Sequence, residues 1–233
     1  MENFKFRIHN ILIFISLIIF ILITNCNQNY LTKVNKQYIE CKTSFGKETV
    51  IENINSHFPK KITRINSYFL CLPPTCPPSF DCIAQYGEMS LIENKNNEKR
   101  VQELLKQKII YHTNYNDNNN IIINFYSFKN EGFVSEKYNT WFPGKLPIPF
   151  FESYDFGLGK KFTKLKNETM EVPIYTIPED LEIYVIDAKP GSFWKYNCNE
   201  PRPNTLKEWK HGYSKGFALS NKRKLIVYWT IIW

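Results

Sequence analysis

The apolar positions change period several times along the chain. From Ile11 to Ile23 only Ser16 interrupts a run of Ile, Leu and Phe, with Lys5 and Arg7 ahead of it. A membrane-spanning helix needs about 20 residues, because ~30 Å of hydrocarbon is covered at ~1.5 Å per residue. This run is short for a span and matches the apolar region of a secretory signal. Thr24 and Cys26 are small enough for the −3 and −1 positions, so residues 1–26 read as a signal peptide cleaved before Asn27. The site is not Ala-x-Ala, and an uncleaved anchor over residues 11–24, making a single-pass membrane protein, is the second reading. Either way residues 27–233 are expected to be secreted or to face the secretory lumen.

Further on, Val50, Ile51 and Ile54 suggest a short helix from Glu48 to His57, stopped at Pro59. Ile62–Leu70 is β-prone. Val101, Leu104, Leu105 and Ile109 recur at the helical period, which predicts a helix over Asn97–Ile109 with Asn97 as its cap. Asn114–Asn120 is a polar loop, and Ile121–Phe128 a strand buried on both faces. Asn130–Leu158 is rich in Pro and Gly set among Trp141, Phe142, Phe150 and Phe151. Met170–Ile177 and Leu181–Asp187 read as strands. The second alternates Ile183 and Val185 with Tyr184 and Ile186, and turns at Lys189-Pro190-Gly191. Tyr213–Ser220 and Leu225–Ile232 form a hairpin around Asn221–Lys224. The last strand is apolar on both faces, which places it centrally in a sheet. The fold class is therefore α+β, a mainly antiparallel sheet with a few helices. It is expected as one disulfide-stabilised domain over 27–233, with long loops at 71–82, 112–120, 129–160 and 188–212.

Composition adds limits. With 43% hydrophobic and 22% charged residues, the chain is neither disordered nor a multi-span membrane protein. The net charge of +8 points to an anionic surface such as an acidic glycan or phospholipid headgroups. No nucleic acid is expected. Lys160, Lys161, Lys164 and Lys166, with Lys222, Arg223 and Lys224, are the basic clusters. Asn, Ile and Lys supply about a third of the chain and Ala is scarce, a skew that codon bias alone produces. A lysine-rich solvated surface is thus the plainer reading.

Six cysteines suit an oxidising compartment. Cys71, Cys76 and Cys82 sit in a Pro-rich segment, and Cys41 and Cys198 lie on either side of it. All five are disulfide candidates, and their spacing leaves the connectivity open. Zinc sites use closer Cys pairs or neighbouring His, so no metal is implied. No P-loop, Gly-x-Ser-x-Gly or His-Glu-x-x-His motif occurs, and no cofactor is implied. Asn167-Glu168-Thr169 is the one glycosylation sequon. The sequence does not indicate an oligomeric state.

The connection 188–212 gathers the candidate chemistry. Trp194, Trp209, Tyr213 and Arg202 suit a ligand-binding surface, since indole and phenol rings stack on sugars while Arg donates hydrogen bonds. This makes a secreted binding module for an extracellular glycan or another ligand the leading reading. Alanine at Trp194 and Trp209 is then expected to abolish binding and leave the fold intact. The alternative is a hydrolase or transferase with Cys198 as nucleophile, His211 as base and Asp187 or Glu200 orienting the imidazole. Cys198 as a disulfide, and the two Trp as core beneath the loop, are the structural readings of the same residues.

Overall fold

The computed structural model describes residues 2–64, 67–72, 86–94, 98–115, 117, 121–123, 146–164, 171–195, 209 and 211–233, with 2–14, 17, 21, 163, 164, 171 and 172 described by backbone alone. Helix α1 spans Glu2–Glu48. At ~1.5 Å per residue it is about 70 Å long and runs unbroken through the expected junction between Cys26 and Asn27. In its first half Ile15, Ile18, Ile19, Phe20, Leu22 and Ile23 are exposed. Its second half is different. Leu31, Val34, Tyr38, Cys41 and Phe45, spaced three and four apart, form one apolar stripe that packs into the core. Among the described residues no helix is long and apolar enough to cross a membrane.

The core is a six-stranded sheet built from β1 (Tyr68–Leu72), β2 (Gly87–Asn94), β3 (Tyr111–Asn114), β8 (Leu181–Pro190), β9 (Gly212–Ser220) and β10 (Leu225–Ile232). Its order is β1-β2-β10-β9-β8-β3, with every pair antiparallel. The expected final hairpin and the central place of its second strand are both present. β9 carries Gly216 between its partners Val185 of β8 and Trp229 of β10. A Cβ there would collide with the Tyr184 carbonyl and stand 2.7 Å from Cζ2 of Trp229.

Both faces of the sheet are covered. On the helix side Met89, Leu91, Phe217, Ile226, Tyr228 and Ile232 meet α1 and helix α2 (Glu98–Leu105), which contributes Val101 and Leu104. On the far side Val185, Ala218, Val227, Trp229 and Ile231 meet Ile148, Phe151 and Tyr154. These belong to the segment around a small parallel pair, β4 (Ile121–Ile123) with β5 (Pro147–Pro149), and the 3-10 turn Phe151–Ser153. Ser214 Oγ donates to the Pro147 carbonyl at 2.6 Å and fastens that layer to β9. A separate hairpin joins β6 (Lys160–Lys164) to β7 (Glu171–Tyr175).

Residues 49–62 form a strap across the helix side, where the sequence suggested a helix over Glu48–His57. The strap is held as turns by groups outside it. Asn35 receives the Ile62 N–H at 2.7 Å and donates to the Ile62 carbonyl at 2.8 Å. With its backbone so engaged, Ile62 does not enter a ladder, and β1 starts at Tyr68 rather than Ile62. Tyr38 and Lys42 both donate to the Pro59 carbonyl. Arg100 donates to the His57 carbonyl at 2.7 Å. His57 Nε2 pairs with the Trp229 carbonyl at 3.0 Å, and as the carbonyl only accepts, Nε2 carries the proton.

Other expectations shift at their ends. α2 stops at Leu105, short of Ile109, because Ile110 N–H is drawn to the Val185 carbonyl at the sheet edge. β8 continues past Asp187 to Pro190 by pairing with Gly212. β3 occupies the start of the loop expected at 112–120, and β5 lies inside the one expected at 129–160. β2 was not anticipated. The Asn97 cap, residues 73–85 of the Pro-rich segment with Cys76 and Cys82, and residues 124–145 lie outside the described residues.

Cys41 on α1 and Cys71 on β1 form a disulfide, with Cα atoms 6.2 Å apart. Cys26 on α1 is a free, exposed thiol. The bond closes a loop of 30 residues. Loop-closure entropy then makes replacing both cysteines by Ser lower the unfolding free energy by about 3–4 kcal/mol. Urea denaturation with and without reductant measures this.

Two buried titratable groups make stability depend on pH in opposite senses. Burial, with Lys215, Lys42 and Arg100 nearby, pushes the His57 pKa down to about 3. An unfolded His titrates near 6.5, so its contribution is complete above that and is lost as pH falls toward 3. Glu88, on the far side, accepts from Tyr86 at 2.6 Å, and burial raises its pKa above the usual carboxylate range. Its contribution is present below the unfolded value and is lost as pH rises through the folded one. In urea titrations from pH 4 to pH 8, His57→Gln should flatten the acid limb and Glu88→Gln the alkaline limb.

Candidate functional site

The structure separates the residues that the sequence grouped on the 188–212 connection. Trp194 bridges to Thr49 beside the end of α1 and is 7% exposed. Its ring lies on Gly87, where a Cβ would stand 2.8 Å from Trp194 Cη2. It belongs to the core on the helix side. Trp209 belongs to the far side, 6% exposed and against Trp233, whose Nε1 donates to the Trp209 carbonyl at 2.9 Å. The two indoles therefore sit on opposite faces of the sheet, within its cores, and form no common binding surface. Tyr213 is also buried, at 2% exposure. His211 stands in the turn before β9, and its carbonyl accepts from the Gly191 N–H at 3.0 Å. Cys198, Glu200, Arg202 and Asn167 lie outside the described residues.

Asp187 is the one candidate that leads to a partly open site. Strict alternation along β8 would put Asp187 on the face of Val185, toward the far side. A bulge between Val185 and Asp187 shifts the register by one residue. Asp187 thereby joins Tyr184 on the helix side, opposite Lys215 of β9. Here neither α1 nor α2 closes over the sheet. Glu182, Tyr184, Ile186, Asp187 and Lys215 are all half-buried rather than sealed.

The strip has a repeating construction. Tyr184 donates to Glu182 Oε2 at 2.6 Å, and Tyr213 donates to Asp187 Oδ2 at 2.7 Å. Each phenol holds one carboxylate in place. Burial first, then the carboxylate it bonds, raises the pKa of both phenols, so both remain donors. Lys215 carries the positive charge of the strip. Its pKa is lowered by burial and by Lys189, and Asp187 works against that fall. At the sheet edge His112 of β3 stacks on Tyr184 with centroids 4.4 Å apart and planes 8° from parallel. Tyr184 stacks in turn on Phe217 at 4.9 Å and 12°. His112 Nε2 lies 3.8 Å from Glu182 Oε2, with side chains 52% and 44% exposed. At the other end Phe193 meets Tyr213 edge-on at 4.7 Å.

Parallel rings, two positioned carboxylates and one ammonium can grip a ligand that presents both a flat apolar face and hydroxyl or amine groups. Among the described residues, no three His, Cys, Asp or Glu side chains gather as metal ligands. The sequence reading reached Asp187 and Tyr213 and missed His112, Glu182, Tyr184 and Lys215. The spacing Glu182-x-Tyr184 beside Tyr213-x-Lys215 carried the signal, but only the register of two strands brings the pairs together.

The burial of the indoles reverses the expectation for their removal. Trp194→Ala and Trp209→Ala should each lower the unfolding free energy by about 3–5 kcal/mol, as buried Trp truncations do. Urea midpoints measure this, and midpoints equal to the parent would show that the two rings are dispensable.

No protein-family model matches the chain, and no curated protein or solved structure is significantly similar to it.

Proposed function

We propose that the chain is a secreted or lumenal binding module for carbohydrate, and that the strip from His112 to Lys215 takes the ligand. The observation that carries this reading is the pairing of stacked, edge-exposed rings with two phenol-held carboxylates on one half-buried surface. Sugars present apolar C–H faces to rings and hydroxyls to carboxylate and ammonium groups. Glu182 and Asp187 accept from hydroxyls, Lys215 donates, and the outer face of His112, backed by Tyr184, supplies the platform. The Cys41–Cys71 disulfide accords with an oxidising compartment. The exposed apolar half of α1 accords with a segment that enters the secretory route.

The strip is tested by screening the purified chain on a glycan array and titrating the best ligand by calorimetry. Glu182→Gln, Asp187→Asn and His112→Ala change groups at the site without opening the core. Each is expected to weaken binding at least tenfold, about 1.4 kcal/mol, with an unchanged far-ultraviolet circular dichroism spectrum. Parental affinity in all three variants, or an array without any bound glycan, rejects the reading.

A further inference from the structure

A second surface lies away from that strip, on the β6–β7 hairpin. Gly157 and Gly159, at φ 70° and 95°, turn the chain into it, and Asp155 Oδ1 accepts from the Gly157 N–H at 2.8 Å. The Thr176 N–H donates to the Gly159 carbonyl at 2.9 Å and closes its base. Its rungs pair Lys160 with Tyr175, Lys161 with Ile174 and Phe162 with Pro173. Directly paired residues share a face, so Lys160, Tyr175, Phe162 and Pro173 lie together and Lys161 lies on the reverse.

Phe162 is 58% exposed, level with Leu22 and behind only Phe20 among the large apolar side chains described. The Lys160 ammonium stands 5.1 Å from the Phe162 ring centre and 6.0 Å from that of Tyr175. Lys160 and Lys161 are themselves exposed. Along the chain Lys164 and Lys166 follow, and Glu171 faces Lys164 at the last rung. The first three rungs thus offer rings, aliphatic surface and ammonium groups, and no carboxylate or amide side chain.

We infer that this hairpin docks on an anionic phospholipid surface, with Phe162 entering the interface and Lys160 and Lys161 against the headgroups. Sugar recognition calls for fixed acceptors for hydroxyls, which these rungs lack. An apolar ring flanked by flexible cations suits an interface where hydrocarbon begins just below a layer of negative charge. The net charge of +8 draws the whole chain to such a surface. The exposed Ile, Leu and Phe of α1 are a further surface in the same chain that hydrocarbon would accept. The inference does not depend on the carbohydrate strip.

The test measures partition of the full chain onto vesicles of phosphatidylcholine alone and of phosphatidylcholine mixed with phosphatidylserine. Apolar binding through α1 contributes to both, the difference between them reads the charge of the whole chain, and the lysine variant assigns the hairpin's share of it. The parent should prefer the anionic vesicles about tenfold or more at low salt, with the preference falling as salt rises. The double variant K160Q/K161Q should lose most of that preference, at about fivefold per lysine, and keep the parental affinity for neutral vesicles. F162S should weaken binding to the anionic vesicles with both lysines in place. A parent with no preference, a preference indifferent to salt, or one that survives K160Q/K161Q overturns the inference. So does a variant that loses retention on a sulfated polysaccharide resin while its vesicle binding stays parental, which would give the lysines to a glycan.

Discussion

Strand β10 is the element on which the other layers rest. Ile226, Tyr228 and Ile232 face the helices, Val227, Trp229 and Ile231 face the far layer, and β2 and β9 pair with it on either side. A strand so enclosed has no solvent for its backbone groups, so both ladders must be complete. The packing around it follows from that. His57 anchors the strap on the Trp229 carbonyl, Arg100 links α2 to the Tyr228 hydroxyl at 3.3 Å, and Gly216 lets β9 pass beneath the Trp229 ring. Burial raises the Tyr228 pKa to about 12, so its hydroxyl stays neutral beside Arg100.

The candidate strip exists because that enclosure is incomplete at one end. α2 terminates at Leu105 and the chain crosses to the edge strand β3, leaving the helix side of β8 half-covered. The bulge in β8 then adds a second carboxylate beside Glu182, at a place where strict alternation would have continued with Ala188. Tyr213 supplies rigidity from below, since it is sealed in the core and reaches Asp187 only with its hydroxyl. Rigid partners beneath a half-open surface reduce the ordering that a ligand must impose.

Local pattern was a good guide where one period governed a whole segment. Leu225–Ile232 is apolar except for Thr230, and it announced a central strand. Leu31, Val34, Tyr38, Cys41 and Phe45 also carry a helical period, but the polar residues between them and the apolar run upstream mask it. β2 was hidden because Glu88 is buried in it, and a buried carboxylate breaks the expected alternation. The composition of the Trp-rich loop suggests a surface, whereas large rings are as often what closes a core, as Trp194 and Trp209 do here. Whether Trp194 and Trp209 share a face depends on which side of the sheet each flanking segment crosses, and no local spacing encodes that. The face of Asp187 likewise depends on a bulge that Tyr184-Val-Ile-Asp187 does not announce.

The covalent link between α1 and β1 has a bearing on how the protein is made. Its two cysteines emerge only 30 residues apart, whereas β2 waits for a partner that begins at Leu225. At roughly 5–20 residues per second, translating the intervening stretch takes about 8–30 seconds. Thiol oxidation runs from seconds upward, so the two events compete. When oxidation is first, the staple holds the helix and the outer strand in native register while the place of the central strand is still open. β2 keeps one bare edge until β10 arrives in either case, but a late staple also leaves β1 unfastened to the helix, so more of the sheet is open to neighbouring nascent chains. The speed of oxidative folding thus becomes a determinant of yield, apart from any effect on the finished molecule.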